Sequence, residues 1–266
     1  MAHLDCSFNS PALQKNAHLI VFVPSMSADD YLADREVDYT QAHWPTLYLL
    51  HGSYGDCMDW SLRTGIERYA QDKGIAVVMP SAENSTYVTM AHGEDYLTYV
   101  GKELPEFLPK ILPLSRERAK TYIAGLSMGG YGAFRIALAY PETFGYAASL
   151  SGALDIALLH DASNEEAHMR KMPANYRRAV FADNEGIRGT EDDLAFLLRQ
   201  RVREKARLPA LYMSCGTEDF ILPANDNFFA ASQEAQVPVT FERYPGVHDW
   251  VYWDTHIQDV LRWLPS

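Results

Sequence analysis

One serine stands among glycines in Gly125-Leu126-Ser127-Met128-Gly129, between an apolar, strand-like run (residues 119–125) and a helix-like one (127–140). A G-x-S-x-G spacing in that setting makes a sharp strand-to-helix elbow. The serine hydroxyl projects from it, and the positions two before and two after must be tiny because strand and helix pass so closely. A serine hydroxyl is a weak nucleophile near neutral pH, so such a residue needs a base and a carboxylate that orients the base. The chain order to look for is serine, then an acid after the next-to-last core strand, then a histidine after the last one. The segment "LYMSCGTEDF" supplies Glu218 and Asp219 directly after the strand-like run 208–216. His248 follows the run 237–246 and precedes the helix-like stretch 249–264. Three separate segments thus point to one chemistry, acyl transfer through a covalent serine intermediate.

That chemistry also needs donors for a developing oxyanion. One is the backbone N–H of Met128, at the start of the helix after the elbow. The other falls in the loop after the run 46–52, where "LYLLHGSYGDCMDW" places His51-Gly52-Ser53. Gly52 lets the backbone approach closely, and Ser53 N–H is the second donor. His51 reads as a residue holding this loop rather than as a base. Tyr54, Trp60 and Tyr87 are candidates for the pocket wall. Asp249, too close to reach its neighbour's ring, reads as a helix cap, and His256 as a surface residue of the last helix. No His-Glu-x-x-His or comparable ligand pattern is present, so neither a metal nor another cofactor is expected.

These residues require a frame that brings them together. Strand-like runs at 17–24, 46–52, 74–80, 119–125, 145–152, 208–216 and 237–246 alternate with helical stretches at 95–112, 127–140, 222–235 and 249–264. That rhythm predicts an α/β fold with a mostly parallel sheet covered on both faces. Residues 3–9 and 17–24 have no helix between them, which predicts an antiparallel N-terminal edge. From Ala153 to Arg207 no strand is apparent, only polar helical pieces in which ten Lys/Arg balance ten Asp/Glu. A lid-like helical insertion at 153–207 within a single domain, 1–266, is the expected organisation.

The chain has 266 residues, 47% of them hydrophobic, and a net charge of −12 from 23 Lys and Arg against 35 Asp and Glu. Such a charge disfavours nucleic acid and anionic membrane surfaces as partners. No segment approaches the ~20 apolar residues of a membrane span. The N-terminal "MAHLDCSFNS" lacks a secretory pattern, and three scattered cysteines make no disulfide framework. A cytoplasmic protein with a small-molecule substrate is expected, with self-association into a homo-oligomer left open.

The segments "GLSMGGYGAFRIALAYPETF", "CGTEDF" and "GVHDWVYWD" resemble the esterase family of α/β-hydrolases that includes the tributyrin esterases, S-formylglutathione hydrolases (esterase D), feruloyl esterases and mycolyltransferases. The likeness extends to "SFNSPALQKNAHLIVFVP" at the start and "YVGKELPEFL" before the elbow, and is weakest in 153–207. The resemblance implies an α/β-hydrolase fold, with Ser127 as nucleophile, Asp219 rather than Glu218 as the acid, and His248 as base. It also implies Ser53 and Met128 as oxyanion donors. The form Gly-x-His-x-Trp at 246–250 is more similar to the short-chain tributyrin and acetyl esterases. Ser53-Tyr54-Gly55 stands where S-formylglutathione hydrolases typically carry Leu-Thr-Cys. The implied activity is hydrolysis of short-chain, acetyl-like esters. A thioesterase of the S-formylglutathione type is the alternative, ahead of a non-catalytic binding module.

Overall fold

The computed structural model describes residues 1–35, 43–160, 174–182 and 186–265. Its centre is one eight-stranded sheet built from β1 (Ala2–Ser10), β2 (Lys15–Val23), β3 (Thr46–Leu50), β4 (Ala76–Pro80), β5 (Thr121–Leu126), β6 (Tyr146–Leu150), β7 (Ala210–Gly216) and β8 (Val239–Tyr244). The strands lie in the order β1-β2-β4-β3-β5-β6-β7-β8. β1 pairs antiparallel with β2, from Ala2 opposite Val23 to Ser10 opposite Lys15, and β2 pairs antiparallel with β4. Every other pairing in the sheet is parallel.

The α-helices of the first half are α1 (Ala28–Leu32), α2 (Asp59–Arg63), α3 (Ile66–Lys73), α4 (Tyr96–Thr98), α5 (Leu104–Phe107) and α6 (Met128–Ala139). Those of the second are α7 (Ile156–His160), α8 (Ala174–Phe181), α9 (Leu194–Arg203), α10 (Leu222–Glu234) and α11 (Trp250–Trp263). None of the described helices is long and apolar enough to cross a membrane.

The core follows from the two-residue period of the strands. In β3, Leu47 and Leu49 face a layer that holds α3 and α11, through Ile66, Ala70, Ile257 and Val260. Tyr48 and Leu50 face the opposite layer, with Phe134 of α6, Leu197 of α9 and Phe228 of α10. Both sheet faces are therefore dry, which is why β3, β4 and β5 are buried along their whole length and, after the leading threonines of β3 and β5, carry no alternating polar residues. All three cysteines are free.

The helical stretch at 95–112 departs from a single helix. It breaks into α4, a π turn (Tyr99–Glu103), α5 and a 3₁₀ turn (Leu108–Lys110). Pro105 and Pro109 sit at the second position of the two last pieces, where a missing N–H is tolerated. At Gly101 a Cβ would strike the ring of Tyr140, so the π turn lies where the backbone passes close to α6's end. The wide turn in turn sets Glu103, which accepts bonds from Ser10 Oγ and the Ala12 N–H and ties the β1–β2 hairpin to the body.

Candidate active site

β5 ends at Leu126 and α6 begins at Met128, so Ser127 alone makes the turn. Its backbone sits at φ 52°, ψ −116°, a conformation that L-residues rarely adopt and that must be held from outside. Three backbone bonds hold it. Ser127 N–H donates to Leu150 O at 2.9 Å, and Ser127 O accepts from the Tyr131 and Ala153 N–H groups, each at 3.1 Å. The flanking glycines answer to close approach. A Cβ at Gly129 would lie 2.5 Å from His51 O, and one at Gly130 2.6 Å from Ser149 Oγ.

Asp219 and His248 reach Ser127 from the ends of the neighbouring strands. After β7, Asp219 N–H donates to Gly216 O and its Oδ1 accepts from Ile221 N–H, which fixes the side chain. After β8, the chain turns at Gly246, whose φ of 152° and closeness to the Tyr252 ring suit glycine alone. His248 follows, and Asp249 caps α11 by accepting from Tyr252 N–H. His248 Nδ1 then lies 2.9 and 3.0 Å from the two Asp219 carboxylate oxygens, and its Nε2 lies 3.0 Å from Ser127 Oγ. A carboxylate only accepts, so Nδ1–H donates to Asp219, and Nε2 presents a lone pair to the Ser127 hydroxyl. The Asp219 side chain is wholly buried, whereas His248 keeps a small exposed edge. Glu218, the other acid considered, is exposed and turned away. Its carboxylate accepts from Gly246 N–H at 2.7 Å, which lowers its pKa and braces the loop leading to His248.

The loop after β3 folds over the elbow. A Cβ at Gly52 would lie 3.6 Å from Ser127 Cβ and collide with Leu126, so only glycine allows Ser53 to follow beside Met128 on the same cavity. His51 holds this loop. Its Nδ1–H donates to Gly52 O at 2.7 Å, its Nε2 accepts from Ala82 N–H at 3.0 Å, and its own carbonyl accepts from Tyr87 Oη at 3.0 Å. Burial holds the imidazole pKa below its usual value, consistent with a neutral, fixed tautomer. Cys57 is no nucleophile in reserve, since burial pushes its thiol up. Among the described residues no group of three or more His, Cys, Asp or Glu is arranged to hold a metal ion.

Beside Ser127 lies a cavity of about 350 Å³. Its apolar side is Ile156 and Leu159 of α7 with Ala153 and Ile221; Ser53 lies in the loop after β3, Asp59 at the start of α2, and Thr86 in the loop after β4. Tyr54 is at this cavity and is 79% exposed, so it stands at the rim. Trp60 and Tyr87 do not line the cavity, contrary to the sequence expectation. Trp60 is buried beneath the loop with its indole N–H on Leu50 O, and Tyr87 packs under α6 where Gly132 leaves room for its ring. The wall comes instead from Trp250 and Trp253. Trp253 sets its ring edge-on to His248 at 5.0 Å, and Trp60 backs Trp250 at 5.5 Å. The signal for these two was in the sequence: tryptophans three apart on the first turn after the histidine share one helix face. His256 is also displaced from expectation. It is buried between the rings of Tyr244 and Tyr252, with Nδ1 on Asp259.

The profile of the family described as Putative esterase matches residues 10–264. The chain belongs to that family. An acetyl esterase of Caldicellulosiruptor saccharolyticus is 34% identical over 267 aligned residues, 99% of this chain and 98% of the relative. Among solved structures, the fluorophosphonate-binding serine hydrolase FphF of Staphylococcus aureus superposes with a TM-score of 0.86 at 32% identity, covering 99% and 98% of the two chains. The S-formylglutathione hydrolase FrmB of the same organism gives 0.83, again at 32% identity and with the same coverage. The fold is accordingly that of the α/β-hydrolases, and this esterase-family chain is an enzyme of the serine hydrolase class, acting on carboxylic esters.

A buried histidine beside the cavity yields a prediction about acid. His160, at the end of α7, is 4% exposed, and neither ring nitrogen has a hydrogen-bond partner among the described residues. Burial first, and the Arg177 charge second, push its pKa down to about 4. The unfolded chain therefore binds the extra proton first. The stability associated with neutral His160 is complete above about pH 6.5 and is lost as pH falls toward 4, with a full span of about 3 kcal/mol. Urea unfolding at pH 7 and pH 4.5 should show a clearly smaller acid loss for His160→Phe than for the parent. Equal losses would mean that His160 does not set this dependence.

Proposed function

We propose that the chain hydrolyses short-chain, acetyl-like carboxylic esters, with Ser127 as nucleophile, His248 as general base and then general acid, and Asp219 as the orienting carboxylate. The observation that carries this reading is the continuous path from Asp219 through both nitrogens of His248 to Ser127 Oγ, at 2.9 and 3.0 Å. As Ser127 Oγ attacks the ester carbonyl carbon, its proton passes to Nε2 of His248, and Asp219 stabilises the imidazolium. The carbonyl oxygen, now negative, is received by the N–H groups of Ser53 and Met128. Met128 opens α6, so its N–H has no acceptor within the helix, and a single oxyanion donor is typically worth ~3 kcal/mol. Collapse of the adduct breaks the bond to the alcohol oxygen, which takes the proton from Nε2. Water, deprotonated by the same nitrogen, then releases the acid and restores Ser127.

The shape of the cavity supports the acyl preference. Ala153, Ile156, Leu159 and Ile221 are all buried and close its apolar side. Two of them belong to α7, so we read residues 1–266 as a single domain and 153–207 as a lid-like insertion that limits acyl length. The described residues of that insertion contain only helices and turns, and the rest of it lies outside the described residues. A p-nitrophenyl ester series tests this. We expect kcat/KM for acetate or butyrate to exceed that for octanoate by at least about tenfold, the scale on which a closed apolar pocket discriminates. A flat or rising profile would refute the short-chain assignment.

A second reading, thioester hydrolysis, is favoured by the likeness to FrmB. The same triad would cleave either bond. Against it, no lysine or arginine lines the cavity among the described residues, so the carboxylates of a glutathione leaving group have no cationic partner there. Comparing kcat/KM on S-formylglutathione and p-nitrophenyl acetate separates the two; a thioester advantage of about 100-fold or more would select the second.

A further inference from the structure

The loop after β4 holds a threonine in a conformation that threonine resists. Thr86 sits at φ 57°, as does Tyr87 after it. A β-branched residue in this region is strained, and it persists only where its surroundings over-determine it. They do so here. Tyr87 N–H donates to Ser85 Oγ, Val88 N–H closes on Ser85 O, and the Tyr87 ring is locked beneath Gly132 with its hydroxyl on His51 O. The same loop is tied to the rim, because Asn84 Oδ1 accepts from Tyr54 N–H at 2.6 Å. Thr86 is thus fixed on the cavity that holds Ser127, 96% buried, and its hydroxyl makes no hydrogen bond to any described residue. A hydroxyl at such a place either loses its bonding capacity or has it met by what enters the cavity.

We propose that the Thr86 hydroxyl reads a hydroxyl group on the alcohol portion of the ester, so that the enzyme selects esters of neutral, hydroxyl-bearing alcohols over those of plain alkanols. This rests on the acyl-transfer reading above and refines it. Two further observations set the chemistry of the alcohol. Asp59 lies on the same cavity and can only accept, which suits a hydroxyl donor and opposes an anion. Arg63 pairs with the Asp59 carboxylate at 3.5 Å, but no lysine or arginine among the described residues lines the cavity itself, and the chain as a whole carries −12. Among the described residues the apolar side, from α7 and Ile221, offers a hydroxyl no polar side chain, so it suits the acyl methyl and leaves the side with Asp59 and Thr86 to the alcohol.

The test compares glyceryl monoacetate with propyl acetate, which share acyl group and carbon count and differ in two hydroxyls. Thr86→Val removes the hydroxyl and keeps the β-branch, so the backbone strain is the same in both proteins. We expect this variant to lose about tenfold in kcat/KM on glyceryl monoacetate, mainly through KM, with propyl acetate held within about twofold. Thr86→Ser should keep the parent's preference for glyceryl monoacetate. Equal effects of Thr86→Val on the two esters, or none on either, would overturn the proposal and leave the triad reading intact. Failure of the parent to hydrolyse either ester would overturn both.

Discussion

Ser127→Ala will lower kcat on p-nitrophenyl acetate by about 10,000-fold or more, with the fold intact. Removing one oxygen deletes the covalent step, and the residues that remain do not substitute. His248 would still be oriented by Asp219, with both carboxylate oxygens within 3.0 Å of Nδ1, but it would face a methyl group. A triad acts as a unit, so removing the nucleophile costs nearly as much as removing all three members; what survives is the residual rate from the oxyanion donors and binding. The variant should fold. The backbone bonds that hold the elbow, Ser127 N–H to Leu150 O and Ser127 O to the Tyr131 and Ala153 N–H groups, do not involve the side chain. Alanine is no more strained at φ 52° than serine. The thermal midpoint should therefore move by only a few degrees, as for a change that loses one net hydrogen bond. A fluorophosphonate probe should label the parent and not the variant. Loss of less than about 100-fold in kcat would remove Ser127 from the role of nucleophile, and an unlabelled parent would favour the binding-module alternative.

How much of this could be read without coordinates depends on whether the deciding contact is local. The elbow was legible because its constraint is written within five residues: a serine, its glycines, and the switch from strand to helix period. The sheet was legible for the same reason, since apolar runs such as Leu47–Leu50 need both faces covered. Choosing between Glu218 and Asp219 was not a local matter. Adjacent side chains leave the chain in different directions, and Glu218 is claimed by the Gly246 N–H, 28 positions away. The composition of the residues alone left that choice open, and the family likeness pointed to Asp219. Aromatic walls were read least well. Trp60 lies eight positions after Gly52 and Tyr87 in the next loop, both near the cavity in sequence, yet each uses its polar atom on a backbone carbonyl inside the core. Trp250 and Trp253 take their place because Asp249 starts α11 at that point and so fixes which side of the first turn faces His248. His256 shows the limit of the helical period as a guide. Its side of α11 meets Tyr244 of β8, and two aromatic rings make a buried histidine acceptable where exposure was expected. The break in the helical stretch 95–112 is not written in its own residues, because a π turn forms where the neighbouring element crowds the backbone, here Tyr140 against Gly101, and the crowding residue lies far along the chain.

Gly129→Ala should do the most damage to the folded state for the fewest atoms. Gly129 is the second residue of α6, and within a helix a glycine-to-alanine change is ordinarily favourable, by up to about 1 kcal/mol in the interior. The surroundings reverse that sign. A Cβ here would lie 2.5 Å from His51 O, 2.6 Å from Leu50 O and 2.8 Å from the Leu50 carbonyl carbon, all of them backbone atoms. None can give way easily. Leu50 is the last residue of β3 and is hydrogen-bonded through its carbonyl to Trp60, while His51 is clamped by Gly52, Ala82 and Tyr87. Relief must come from moving the whole start of the loop after β3 away from the elbow, which breaks part of that clamp. We expect a loss of about 3 kcal/mol in urea unfolding, at the upper end of overpacking effects. Because Ser53 follows directly in that loop, a displacement of about 1 Å would also carry its N–H away from the oxyanion and reduce kcat/KM by about 100-fold at a temperature where the variant is folded. Gly186→Ala is the control, since nothing lies within 4 Å of a Cβ there and neither stability nor rate should change. If Gly129→Ala kept both parent stability and parent activity, the elbow would be looser than these contacts allow. Stability lost with activity retained would separate the elbow's packing from the oxyanion loop, and would show that Ser53 does not serve the reaction through its backbone.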